Sequence, residues 1–266
     1  MNTRDRLSFK NIFVRLPWLR ILLVVVAIIW VVLDLSSCTI SRVGGSLDVL
    51  QVTPMFRHVR TRDLDGKKLI ALTFDDGPSE ATTPVLLDLL HKKSATATFF
   101  MLGSRARSYP DIVKRAEREG HLVASHTMYH QNFATISTGA IKDDIVESRV
   151  VFDDILGHYP ALARPPYGNI NNTVRDNIQA PIILWSVDTL DWKNKDAAAI
   201  DEIAHEQAHD GAVVLMHDIY ETSIQAVDRL IDEFRDEGYE FVTVSELAKL
   251  RGATLNNGVI YYNFRP

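Results

Sequence analysis

The sequence predicts an α/β fold: a distorted (β/α) barrel of about seven parallel strands, preceded by one N-terminal apolar helix. Three observations carry that expectation. Short runs rich in β-branched and aromatic residues recur from Lys67 onward, amphipathic stretches lie between them, and several of those stretches stop at a glycine. Regular β-then-α alternation calls for a parallel sheet with helices outside, closed or nearly closed into a barrel. An open doubly wound sheet is the alternative that periodicity does not separate, although no G-x-G-x-x-G turn marks a dinucleotide site.

The chain opens on a basic stretch, residues 1–20, followed by an uninterrupted apolar run from Ile21 to Leu33 within a 21–35 segment. Spanning a bilayer takes about 20 residues, a length that this run reaches with its flanks, so a transmembrane anchor or a signal segment is expected. The bases upstream place Met1–Arg20 on the cytoplasmic side and everything after Leu35 outside. Leu35-Ser36-Ser37-Cys38 resembles a bacterial lipobox. A retained single-pass anchor is expected first, with a lipoprotein through Cys38 or secretion after cleavage as alternatives. Cys38 is the single cysteine, so no internal disulfide can form.

Residues 36–66, with Gly44-Gly45 and no sustained period, read as a linker. The catalytic domain is expected over 67–250. Its strand candidates are LIALTF, ATATFFML, HLVASH, ALARPP, IILWSVD, AVVLMHD and EFVTV. Helices are expected at TPVLLDLLHKK, PDIVKRAEREG, IKDDIVESRVVFDDILG, AAAIDEIAHEQAHDG and SIQAVDRLIDEFRDEG. Residues 251–266 form a tail in which GVIYYNF suggests an extra edge strand.

The formal charge is −5, and the first 40 residues, with five bases against two acids, leave −8 on the rest. An acidic body excludes a phosphate-binding nucleic-acid partner. No feature calls for an obligate protein partner.

A parallel barrel or open sheet carries its chemistry at the carboxyl ends of its strands. Those positions hold Asp75 and Asp76, then His126 and His130, then Arg164-Pro165-Pro166-Tyr167-Gly168, then Asp188, Asp191 and Trp192, then His217. A merely solvated rim would favour Lys and Glu. Successive side chains on a strand diverge, so Asp75 and Asp76 are expected to serve different partners. His126 and His130, four apart, are expected on one face of a helical turn, where a carboxylate would complete a two-His, one-carboxylate site. Such a set accepts zinc first, with cobalt, nickel or manganese possible.

Together these segments resemble the polysaccharide deacetylases of carbohydrate esterase family 4. Five motifs stand in order: T-F-D-D-G-P at 73–78, H-[ST]-x-x-H at 126–130, R-P-P-Y-G at 164–168, D-x-x-D-W at 188–192 and L-x-H at 215–217. The resemblance implies a distorted barrel and a divalent metal held by Asp76, His126 and His130. It implies Asp75 as general base, His217 as general acid, Arg164 holding Asp75, Asp191 orienting His217 and the Tyr167 N–H facing the oxyanion. Trp192 and Leu215 would wall the acetyl pocket, with Pro165 and Tyr167 also contacting substrate. The activity implied is removal of acetyl groups from N-acetylglucosamine residues of an extracellular glycan. Peptidoglycan is expected first; chitin oligomers, exopolysaccharide, O-acetylated xylan or a catalytically silent glycan-binding module are the alternatives.

Other polar residues have plainer readings. His205-Glu206-Gln207-Ala208-His209 spells the H-E-x-x-H of zinc proteases, yet a helical wheel places both histidines opposite Ile200, Ile203, Ala204 and Ala208, facing solvent. His58, His91, His121 and His158 are expected at the surface, and Asp143-Asp144 and Asp153-Asp154 on a solvated helix face. Tyr220 and Glu221 suggest a loop, and Asp188 a turn cap.

Overall fold

The computed structural model describes Leu64 and residues 66–266. The 1–20 tail, the 21–35 segment, Cys38, His58 and nearly all of the 36–66 linker lie outside the described residues. Among the described residues no helix is long and apolar enough to cross a membrane.

The elements run β1 (Lys68–Asp75), α1 (Thr83–Lys92), β2 (Thr98–Met101), α2 (Gly103–Ser108), α3 (Pro110–Arg118), β3 (Leu122–Ser125) and α4 (Thr138–Leu156). A 3-10 turn at Pro166–Gly168 leads to α5 (Asn172–Asn177), β4 (Ile182–Ile183), β5 (Val187–Asp188), α6 (Asp191–Asn194) and α7 (Ala197–Gln207). Then come β6 (Ala212–His217), α8 (Glu221–Asp236), β7 (Tyr239–Phe241), α9 (Val244–Leu250) and β8 (Ile260–Tyr261). Local chemistry sets the ends. α4 starts where the Ser137 hydroxyl accepts the Ala140 N–H and stops at Gly157 in the left-handed region. α9 opens on a capping box between Thr243 and Glu246.

Every pairing between named strands is parallel. The order β3-β2-β1-β6-β5 continues through bridges from Ser125 to Ala163 and from Ala163 to Ile182, so the sheet curls back on itself through the segment joining β4 to β5. That closure decides for the barrel over the open sheet. β7 pairs with Lys68–Ile70 on the edge of β1 that β2 takes from Thr73 onward, a splayed arrangement that distorts the barrel.

Three sequence expectations are modified. The fourth strand candidate is reduced to the bridge at Ala163, because Pro165 and Pro166 supply no ladder donors. The fifth breaks into β4 and β5 around Leu184–Ser186. The tail strand is β8, which pairs with β4, and the chain then returns to lie against β6 at Asn263. Gly211 permits that return: its φ is +86° and a Cβ there would sit 2.0 Å from the Phe264 carbonyl oxygen.

β1 shows how the fold aims the site. Ile70, Leu72 and Phe74 pack outward with Leu86, Leu90, Phe99 and Leu230 in the layer under the helices. Leu69 and Ala71 pack inward with Phe100, Ile183 and Val213. Period-two alternation therefore puts Thr73 and Asp75 on the inner face, with Asp75 at the carboxyl rim.

Candidate active site

Arg164 is the pivot of the rim. It is wholly buried, and its guanidinium lies 4.0 Å from the Phe100 ring centroid. Nε donates to the Ile183 carbonyl at 2.9 Å, Nη2 to the Leu184 carbonyl at 3.0 Å, and Nη1 to Thr73 Oγ1 at 2.9 Å and Asp75 Oδ1 at 2.7 Å. Asp75 is thus held through one oxygen, while Oδ2 stands 3.7 Å from His126 Nε2.

Asp76 follows with φ +74°, a left-handed conformation that costs a residue with a Cβ roughly 1–2 kcal/mol. This turn brings its carboxylate back instead of letting it diverge: Oδ1 lies 3.5 Å from His126 Nε2 and 3.3 Å from His130 Nε2. Both carboxylates therefore approach His126, although strand alternation sends neighbouring side chains apart, and their nearest partners still differ: Arg164 for Asp75, the imidazoles for Asp76. The histidine spacing also works otherwise than expected. Residues 126–130 form a loop, not a helical turn, with Thr127 at φ +72° and His130 at φ +58° folding the two rings to 5.0 Å between centroids.

On the opposite side, β6 is registered so that His217 lies beside Asp75 on β1. His217 Nδ1 is 2.8 Å from Asp191 Oδ1, and its backbone N–H donates to Asp191 Oδ2 at 2.7 Å. Asp191 is fully buried and also accepts from Ser223 Oγ at 2.6 Å and the Trp192 N–H at 2.8 Å. Trp192 is half exposed, Leu215 and Pro165 are buried, and Tyr167, at φ +63°, is exposed with its ring 4.7 Å from that of His130. Asp188 Oδ1 accepts the Leu190 N–H at 3.0 Å, across the following turn.

Comparison with known proteins places this geometry. The chain matches the polysaccharide deacetylase family over residues 63–180. It is 43% identical over 196 residues to the peptidoglycan-N-acetylglucosamine deacetylase PgdA of Listeria monocytogenes, covering 74% of this chain and 41% of that one. It is 42% identical over 185 residues to the peptidoglycan-N-acetylmuramic acid deacetylase PdaC of Bacillus subtilis, covering 70% and 40%. The solved PdaC structure superposes with a TM-score of 0.68 at 41% identity, over 70% of this chain and 93% of that one. A family 4 acetyl xylan esterase from Clostridium thermocellum, solved with a cobalt ion, gives 0.70 at 30% identity, over 74% and 98%. The chain belongs to the polysaccharide deacetylase family. It spans about two fifths of the length of PgdA and PdaC.

Members of carbohydrate esterase family 4 use a divalent metal, and the donors here fit one. Asp76 Oδ1 is buried without a hydrogen-bond partner, the state of a ligand oxygen and a costly one otherwise. His126 Nδ1 lies 2.7 Å from the Arg164 carbonyl, which accepts its proton and leaves Nε2 with a lone pair toward Asp76. One atom each from Asp76, His126 and His130 falls within 4.8 Å of the others.

Electrostatics separates the two halves of the rim. Burial pushes the Asp76 carboxyl up, but the neighbouring imidazoles of His126, His130 and His217 outweigh it and bring the pKa down to about 2. Burial and the neighbouring His126 lower His130, favouring the neutral imidazole that a metal requires. Burial lowers His217 too, yet the hydrogen bond and charge of Asp191, aided by Asp75 and Asp76, raise it to about 9.

Several supporting residues escaped sequence reasoning. Asp144 is buried, where a solvated face was expected, and its carboxylate accepts the Met128 N–H at 2.7 Å and the Tyr129 N–H at 3.2 Å, pinning the loop between the two histidines. Its signal was present: Asp144 falls on the apolar stripe of α4 with Ile141, Ser148 and Val151. Ser223 and Thr73 carry no such signal. His121 is also buried, its Nδ1 accepting the Ala97 N–H at 3.2 Å, because the turn after α3 tucks it under Phe99. His91 and His158 are exposed.

The H-E-x-x-H letters do not form a helical pair. α7 ends at Gln207, Ala208 is extended, and His209 lies beyond the helix. His205 does not simply face solvent either: its ring packs 4.6 Å from that of Phe234, with Nε2 2.9 Å from Glu233 and Nδ1 3.1 Å from Glu237.

Proposed function

We propose that the chain is a metal-dependent hydrolase that removes acetyl groups from N-acetylglucosamine residues of peptidoglycan. It would act outside the cytoplasmic membrane, with residues 21–35 as anchor and zinc as the ion. The observation that carries the reading is the single rim on which Arg164-held Asp75, the Asp76–His126–His130 set and Asp191-held His217 face one another. The peptidoglycan names of PgdA and PdaC support the substrate class, and an anchored enzyme reaches the adjacent wall.

Asp76, His126 and His130 would hold the ion. When bound, it supplies Lewis-acid chemistry, polarising the acetyl carbonyl and acidifying water so that it loses a proton near neutral pH. Asp75 takes that proton: Oδ1 is engaged by Arg164, so Oδ2 is the free acceptor. The water oxygen adds to the carbonyl carbon, and the Tyr167 N–H stabilises the negative oxygen. His217, with Nδ1–H donated to Asp191, delivers the Nε2 proton to the sugar nitrogen as the C–N bond breaks. Acetate and a free amine result, with no covalent acyl-enzyme. Trp192 and Leu215 bound the acetyl group, and Pro165 and Tyr167 touch the sugar.

The test is acetate release from peptidoglycan and N-acetylglucosamine oligomers, with and without chelator, followed by mass spectrometry of the muropeptides. Loss of acetyl from glucosamine units, abolished by chelator and restored by zinc, is expected. Asp75→Asn should stop turnover with zinc still bound, whereas His126→Ala should lose the metal as well. Acetyl loss confined to muramic acid would overturn the sugar assignment, and chelator-insensitive turnover the metal.

A further inference from the structure

Asp218, one residue past His217, has no part in the chemistry above. It is completely buried, and one of its oxygens, Oδ1, has no hydrogen-bond partner. Its other contacts converge on one short stretch, residues 77–83. Oδ2 accepts from Thr83 Oγ1 at 2.6 Å, and that hydroxyl in turn accepts the Ser79 N–H at 2.7 Å. The carboxylate lies flat against Gly77: a Cβ there would stand 2.1 Å from Oδ2 and 2.4 Å from Oδ1. On the far side, the Gly77 carbonyl accepts the Leu102 N–H at 2.9 Å. Gly77 is thus held between the end of β2 and the carboxylate of Asp218.

This stretch begins immediately after Asp76, which stands in the left-handed region at φ +74° and points its carboxylate at both histidines. Such a conformation persists when its surroundings over-determine it. We infer that Asp218, through Thr83 and Gly77, is a positioning residue that fixes the turn carrying Asp76 and so prepares the Asp76–His126–His130 set for a divalent ion. The inference rests on the metal-dependent reading. What sets this carboxylate apart is its place: wholly buried, it packs on Gly77, the neighbour of a ligand, and holds the hydroxyl that fixes the Ser79 N–H. Outer-shell groups of this kind change metal affinity by about 10–100-fold when removed.

The test uses the full chain stripped of metal, with zinc affinity measured by competition against a chromophoric chelator and melting temperature recorded in parallel. Thr83→Val removes the hydroxyl at constant volume and is expected to weaken zinc binding about 10–100-fold, with KM for an acetylated oligomer unchanged at saturating zinc. Thr83→Ser, which keeps the hydroxyl, should restore the affinity. Asp218→Asn, which keeps an acceptor for Thr83, should stay close to the unmutated protein. Gly77→Ala should weaken zinc binding as strongly as Thr83→Val, and the Gly77→Ala/Asp218→Ala pair should be no weaker than Asp218→Ala alone, because the carboxylate that clashes is gone. Should Asp218→Ala fail to fold, the Thr83 pair decides. Equal zinc affinity in Thr83→Val and the unmutated protein overturns the role of Asp218 alone, and so does additivity in the Gly77 and Asp218 pair. Absence of zinc binding by the unmutated protein overturns the metal-dependent reading itself.

Discussion

Among the described residues, two places bring imidazoles and carboxylates close together: two imidazoles and one carboxylate at Asp76–His126–His130 on the barrel rim, and one imidazole and two carboxylates at Asp201–His205–Glu233 on α7 and α8. The rim set lies at the ends of β1 and β3, where buried groups dictate each side chain: Arg164 holds Asp75, the Arg164 carbonyl orients His126, and Asp144 pins the loop between the histidines. The helix set is partly exposed, and each member already has a partner: Asp201 pairs with Arg229, and His205 with Glu233 and Glu237. An oxygen left without a partner at the rim faces both imidazoles. On the helices Asp201 Oδ1 is likewise buried without a hydrogen-bond partner, but the one imidazole there is already engaged by Glu233 and Glu237, so composition does not distinguish the sites and support does.

The largest separation should come from His126→Ala against its outer counterpart. His126→Ala is expected to abolish both zinc binding and turnover, measured by metal content after dialysis and by acetate release. Next is His217→Ala, expected to lower kcat by about 10²–10⁴ while zinc content stays at the unmutated level, the range for losing a general acid. Zinc loss in that variant would mean that the two halves of the rim are not functionally distinct.

The sequence shows the rim more clearly than it shows why the rim works. Alternation along LIALTFD is legible because the inner and outer faces of β1 demand different residues, so the inward place of Asp75 follows from the pattern. The fourth strand candidate is overturned by residues within it, since Pro165 and Pro166 offer no ladder donors and only the bridge at Ala163 forms. What stays hidden is left-handed backbone at residues that have a Cβ. Nothing local announces φ +74° at Asp76 or +72° at Thr127, since tertiary contacts impose both. For the same reason the expected helical turn at 126–130 fails, although the residues meet. His121 is hidden for a different cause, since burial of a polar group there depends on partners distant in sequence, whereas Asp144 is marked by its place on the apolar stripe of α4. The 21–35 anchor stands as an expectation, since it lies outside the described residues.

The pH dependence of the acid side sharpens the comparison further. His217 is raised from 6.5 to about 9, so the proton that the proposed mechanism takes from it is present at neutral pH and is lost as pH rises through about 9. The same shift contributes folding stability that is complete below about 6.5 and disappears as pH rises through about 9. A bound cation nearby disfavours the imidazolium, so the alkaline limb of kcat should fall at or below that value. Asp191→Asn removes the accepting charge and should move the limb to lower pH while zinc affinity holds. A limb that stays in place in Asp191→Asn would show that another group donates the proton.

The smallest effect is expected at the outer cluster, and it is the one that most directly tests the contrast. His205→Ala removes two ion pairs between partly exposed groups and a ring contact with Phe234. Exposed pairs of this kind contribute about 0.2–1 kcal/mol, so unfolding in denaturant should shift by about that much plus a small packing loss. Acetate release and zinc stoichiometry should both match the unmutated protein, because the barrel wall lies between α7 and the rim. A second zinc in the unmutated protein that disappears in His205→Ala would break the comparison, since it would show that carboxylates already engaged in ion pairs surrender them to a cation.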